Sequence, residues 1–145
     1  MRFHLLAFLA GAVATLVFHQ GLLQLLHLAG ASPVAAWRMD PVPPLGVPAV
    51  LSLAFWGGLW GIALCWLVSA RRGAARWAWA IVLGAILPSL VALFLVFPLK
   101  GMPVAGGFNP RLWLGALLLN GAWGLGVAAC MQATGGWRHS ARPSG

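Results

Sequence analysis

The chain has 145 residues, 61% of them hydrophobic and 7% charged, where a soluble domain carries about 25% charged residues. Asp40 is its only acidic residue against nine basic ones, for a formal net charge of +8. This composition excludes a water-exposed globular surface. Nucleic acid is excluded as a partner by the charge distribution, because Arg2, Arg38, Arg71, Arg72, Arg76, Lys100, Arg111, Arg138 and Arg142 all fall outside or at the rims of apolar stretches, with no accompanying nucleic-acid motif.

Four stretches are long enough to cross roughly 30 Å of hydrocarbon as helices. The first runs from Phe3 to Leu28. Arg2 and the Ala12-Val13-Ala14 tripeptide imitate a secretory leader, but the apolar run continues well past them, so an uncleaved first helix is expected. Ala29 to Pro48 follows as a long, proline-rich connection, in which Ser32-Pro33 predicts a brief interfacial helix carrying Trp37. The second stretch is Ala49 to Ser69, and the third is Trp77 to Phe97. The short basic link Ala70 to Arg76 predicts that these two are antiparallel neighbours. Pro98 to Asn109 is a second Pro/Gly-rich connection. Asn109-Pro110 is a helix start, a side-chain acceptor followed by a residue that needs no donor, and the fourth stretch is Leu112 to Ala133. Continuous apolar runs do not alternate as barrel strands do, and helices alone satisfy the backbone within lipid.

The expected fold is therefore all-α: a four-helix transmembrane bundle, up-down-up-down, formed by residues 1–145 as a single integral membrane domain. Arg2, Arg71, Arg72, Arg76, Arg138 and Arg142 lie on one side, and Arg38, Lys100 and Arg111 on the other. The positive-inside rule then makes both termini cytoplasmic. Trp37, Trp77, Trp79, Trp113 and Trp137 fall at predicted helix ends, as interfacial anchors do. Gly58-Leu59-Trp60-Gly61 and Gly121-Ala122-Trp123-Gly124 hint at an internal duplication. Small residues at Gly11, Gly57, Gly61 and Gly124 are expected at helix contacts, where lipid gives no hydrophobic drive and close approach matters.

Polar residues within a span are costly and face the bundle interior. Here they concentrate at His19, Gln20, Gln24 and His27 of the first helix, with Asn120 in the fourth. Three readings compete: hydrogen bonds tying helix one to Asn120 or to loop carbonyls, a substrate, quinone or proton site, and haem or metal ligation. Haem ligation by two histidines requires facing helices, whereas His4, His19 and His27 share one, so it would require a dimer; no cofactor and no metal is predicted, with haem kept as the minor alternative. Pro88 interrupts the third helix and withdraws the donor that Gly84 would use, marking a kink. Cys65 and Cys130 read as buried small hydrophobes. No span carries a carboxylate, and no Cys-x-x-Cys, catalytic triad or phosphate loop is present, so nothing requires catalysis.

The segments Val17-Phe18-His19-Gln20, Pro44-Leu45-Gly46-Val47-Pro48, Phe55-Trp56-Gly57-Gly58-Leu59-Trp60-Gly61, Pro103-Val104-Ala105-Gly106-Gly107 and Asn120-Gly121-Ala122-Trp123-Gly124 resemble those of uncharacterised small four-helix bacterial inner-membrane proteins, which carry no assigned activity. The resemblance implies a multi-pass protein of the bacterial inner membrane. Small multidrug transporters, with their membrane glutamate, and the membrane glutathione-and-eicosanoid family, with charges inside its helices, do not match. The leading expectation is a non-enzymatic accessory or structural component, with the lipid bilayer as its surroundings and a homo-oligomer or membrane-complex partner meeting its glycine-rich faces. The alternatives are a small transporter or channel subunit using the helix-one site, and a haem- or quinone-associated redox subunit.

Overall fold

The apolar stretches become four long helices in the computed structural model, which describes residues 1–139 except for the His139 side chain; Arg142 lies outside the described residues. The helices are α1 (Arg2–Leu28), α2 (Ala49–Val68), α3 (Gly73–Leu99) and α4 (Pro110–Ala133), each long and apolar enough to span a membrane. At 1.5 Å per residue α1 and α3 extend about 40 Å, beyond the ~30 Å hydrocarbon core. Leucines, isoleucines, valines and phenylalanines point outward along the helices, among them Leu9, Val17, Leu53, Phe55, Ile86, Leu95 and Leu118. In water such a surface would aggregate, whereas acyl chains solvate it.

The interior is built from small residues. Ala7, Ala10 and Ala14 of α1 pack with Leu64, Cys65 and Val68 of α2, Ala80 of α3, and Trp123, Val127, Ala128 and Met131 of α4. The helices pair as α1 with α2 and α3 with α4, and α1 joins the pairs through α4. The expected neighbours α2 and α3 meet only sparsely. Their short link fixes proximity at one end, but neither presents a glycine to the other. The α1–α2 crossing is backbone on backbone: a Cβ added at Gly61 would sit 2.5 Å from the Ala7 carbonyl oxygen and 2.8 Å from Gly11 Cα. At the α3–α4 crossing a Cβ on Gly84 would sit 2.8 Å from Gly124 Cα.

Two helices contain a π-turn, at Thr15–His19 in α1 and Ala92–Val96 in α3. α3 also begins four residues before the predicted Trp77, which brings Arg76 into its first turns. Pro88 lies within this helix, one turn ahead of its π-turn.

Both long connections are structured. Residues 29–48 contain a two-residue antiparallel ladder, β1 (Pro41–Val42) with β2 (Val47–Pro48), and Val50 N–H donates to the Arg38 carbonyl at 3.0 Å. No helix forms at Ser32-Pro33, contrary to expectation. Ser32 Oγ instead donates to the Val34 carbonyl and accepts from its N–H, and Trp37 takes a left-handed conformation with φ +50°. In the second connection Ala105, Gly106, Gly107 and Phe108 are all left-handed, with φ from 54° to 63°. Such a run costs roughly 1–2 kcal/mol at each non-glycine residue. Trp113 helps to hold it, its indole N–H donating to the buried Ala105 carbonyl at 2.9 Å. Asn109 then caps α4, accepting from Arg111 N–H at 2.9 Å.

Candidate functional site

The polar residues of α1 meet the connection that follows them. Gln20 is buried, 2% exposed, and its Oε1 accepts the Trp37 backbone N–H at 2.8 Å. One turn later Gln24 Oε1 accepts the Ala36 N–H at 3.0 Å. His27 Nδ1 lies 2.9 Å from the Ser32 carbonyl, and His19 Nδ1 lies 3.4 Å from Gln20 Nε2. Residues 32–37 thus fold back along the last turns of α1, where His27, Gln24 and Gln20 meet the Ser32 carbonyl, the Ala36 N–H and the Trp37 N–H in turn. An irregular segment brought against a membrane helix must find partners of this kind.

The π-turn supplies a fourth contact. A regular helix would direct Gln20 N–H to the Leu16 carbonyl, but here it reaches Thr15 and Val17 instead. The Leu16 carbonyl accepts the Trp37 indole N–H at 2.9 Å. Trp37 is therefore held by backbone and ring together, and its indole is committed to protein rather than to head groups. Sequence reasoning placed Trp37 at the interface and missed this role. A π-turn, and a bond to a backbone carbonyl, leave no signature in residue types.

Asn120 is not part of this group. Its Nδ2 donates to Ser89 Oγ at 2.9 Å, so it joins α4 to α3. Ser89 is 1% exposed, and the residue after Pro88 is thereby given a specific partner. The α1–α4 seam has its own polar link: Trp123 Nε1 donates to the Gly11 carbonyl at 3.0 Å, and Thr15 Oγ1 donates to the same oxygen at 2.9 Å.

Gly11, Gly57, Gly61 and Gly124 all lie at crossings within the chain. A side chain at Gly11 would meet the Gly57 carbonyl, at Gly57 the Thr15 hydroxyl, and at Gly124 the Ala80 carbonyl. Those faces are occupied internally and cannot also receive a second copy. Gly21, Gly73 and Gly115 are the membrane-helix glycines with open space before them. An open apolar groove of about 260 Å³ lies between α3 and α4, lined by Ile81, Ala85, Leu117, Leu118, Gly121, Ala122 and Leu125. It carries no ionisable group. Among the described residues no three His, Cys, Asp or Glu side chains group as metal ligands.

Comparison with protein-family models, curated proteins and solved structures finds no match to this chain. The roles of its residues therefore rest on its own geometry. That geometry defines a helical protein with four helices able to span a membrane, in which an extramembrane connection is docked onto α1 by side chains drawn from the span.

Proposed function

We propose that the chain is a non-enzymatic accessory or structural component of the bacterial inner membrane. Its helices run up-down-up-down, and both termini are cytoplasmic. The contact order supports the alternation. Ala7, Gly11 and Thr15 meet Gly61, then Gly61 and Gly57, then Gly57; Ala80 and Gly84 meet Gly124, and Ser89 meets Asn120. Each pair therefore runs in opposite directions. Among the described residues, Arg2, Arg71, Arg72, Arg76 and Arg138 against Arg38, Lys100 and Arg111 support the orientation.

One observation carries the functional reading. The polar side chains of α1, the best candidates for a transported or reacting ligand, receive the backbone of residues 32–37 instead. They hold a folded outer surface, β1–β2 and its flanks, on the bundle. In a transporter such groups would line a wet path.

The test is flux. Proteoliposomes containing the full chain are expected to leak protons and potassium no faster than empty ones. A protein-dependent flux that Gln20→Leu or Gln24→Leu abolishes would refute the structural reading. Orientation is tested by Leu45→Cys, at the exposed turn of the β1–β2 hairpin, in a background with Cys65 and Cys130 replaced. Membrane-impermeant maleimide is expected to label it in spheroplasts without permeabilisation.

A further inference from the structure

Five described arginines gather at the end of the bundle where α1 begins, α2 passes to α3 and α4 finishes. Arg2 precedes Phe3, and Arg138 follows Trp137; Phe3, Val68, Trp77 and Trp137 share one packed cluster. Arg71, Arg72 and Arg76 surround the α2–α3 turn. Among the described residues no carboxylate answers them, because the one acidic side chain, Asp40, pairs with Arg38 on the connection after α1 at 2.7 Å. Uncompensated charge of this density attracts an anion.

The arginines are also pre-positioned. Arg71 lies over the Trp79 ring at 4.7 Å from its centroid, and Arg76 over Trp137 at 4.5 Å. Stacking uses the flat face of a guanidinium and leaves its N–H edge for an acceptor. Arg76 Nε is buried with no hydrogen-bond partner among the described residues. That atom is closed off by the protein, so the oxygens of an anion at the cluster would meet the exposed Arg71 and Arg72 and the outer edge of Arg76.

The seam between α2 and α3 extends away from this cluster. Trp60, Leu64 and Leu67 of α2 face Leu83, Leu87 and Pro88 of α3 across an apolar crease that the buried Trp123 of α4 also lines. It is too narrow to enclose a water-sized sphere, so a chain would lie along it rather than inside it. Trp60 is about 12 Å along the helix from Val68, most of the depth of one leaflet of a ~30 Å core. Cationic head-group contacts and an apolar track one leaflet deep match an amphiphile.

We propose that this arginine cluster and the α2–α3 crease form a binding site for one anionic phospholipid of the adjoining leaflet, with its phosphate on Arg71, Arg72 and Arg76 and an acyl chain along the crease. The full chain, purified in mild detergent, is titrated with phosphatidylglycerol, with phosphatidylcholine of the same acyl chains, or with inorganic phosphate. Bound lipid is counted by native mass spectrometry.

Phosphatidylglycerol is expected to bind roughly 100-fold more tightly than phosphatidylcholine, at about fivefold for each of the three arginines engaged. Arg71 and Arg72 are exposed, so R71Q/R72Q is expected to retain its helical circular dichroism while binding phosphatidylglycerol roughly 30-fold more weakly. Leu67→Trp changes the crease without changing charge and is expected to weaken lipid binding at unaltered helicity. The proposal is overturned by equal binding of the two lipids, or by undiminished binding in R71Q/R72Q. It is equally overturned if Leu67→Trp has no effect and inorganic phosphate displaces phosphatidylglycerol at equal concentration, which would describe a free-phosphate site.

Discussion

Replacing Gly11 with alanine adds one carbon to the chain's tightest helix crossing. The new Cβ would lie 2.9 Å from Gly61 Cα and would also meet the Gly57 carbonyl. Both are backbone atoms of α2, so no side chain can rotate away. Restoring ordinary contact with Gly61 requires the helices to part by roughly 0.5 Å, and clearing the carbonyl requires more. A crossing with about the contacts of one buried leucine holds roughly 40–60 atom pairs at ~0.1–0.2 kcal/mol, and a 0.5–1 Å gap forfeits a quarter to a half of each. The loss is about 3 kcal/mol. Better helix propensity returns up to ~1 kcal/mol, leaving Gly11→Ala destabilised by about 2 kcal/mol. Gly21→Ala is the control, since nothing lies within 4 Å of its added Cβ; it is expected to be neutral or stabilising by up to ~1 kcal/mol. Reversible unfolding in mixed micelles of mild detergent and SDS, followed by circular dichroism, measures both. If Gly11→Ala proves as stable as Gly21→Ala, the close-crossing argument is wrong.

Other expectations follow from single contacts. Gln20→Leu removes the acceptor of the Trp37 N–H, and hydrogen exchange by mass spectrometry should quicken in residues 31–38 by about tenfold, the equivalent of one lost hydrogen bond, while the spans remain protected. Unchanged exchange there would show that residues 32–37 are held by something else. Trp123→Phe keeps the ring but loses its bond to the Gly11 carbonyl, at a cost of about 1 kcal/mol within the membrane range of ~0.6–1.7; a variant as stable as wild type would contradict it. Asn120→Ala and Ser89→Ala, combined in a double-mutant cycle, are expected to couple by about 0.6 kcal/mol, whereas strict additivity would mean their bond contributes nothing.

The spans were legible in the sequence because each is a continuous apolar run, a signal that no competing structure in lipid shares. The start of α4 was equally plain, since Asn109 and Pro110 each carry a local mechanism for it. The start of α3 was read late because Arg76 looked like a boundary. In the structure its guanidinium stacks on Trp137, so a charged residue can stand inside the helix. The helix expected at Ser32 fails for a reason outside its own residues: the Ala36 and Trp37 amides are claimed by Gln24 and Gln20. The polar group on α1 was visible, but not its partners, because the backbone groups it binds exist at every position. Asn120 groups with it on polarity alone, and the partner it takes, Ser89, is set by the α3–α4 pairing, which residue types do not reveal.

The repeated Gly-x-Trp-Gly segments take on meaning when the crossings are laid side by side. Ala7 and Gly11 of α1 stand to Gly61 as Ala80 and Gly84 of α3 stand to Gly124. The two hairpins thus cross through corresponding positions. They differ one turn further on, where α1 has Thr15 and α3 has Pro88. Thr15 and Trp123 together bond the Gly11 carbonyl, which draws α4 of one hairpin onto α1 of the other. Pro88 withdraws the amide that would reach the Gly84 carbonyl, and Trp60, the counterpart of Trp123, makes no such bond across α2–α3 among the described residues but lines the crease there beside Pro88 and Trp123. Two alike hairpins are therefore joined along one seam and left apart along the other. The loose seam is the one that leads from Arg71, Arg72 and Arg76, where an acyl chain can serve in place of the missing helix contact.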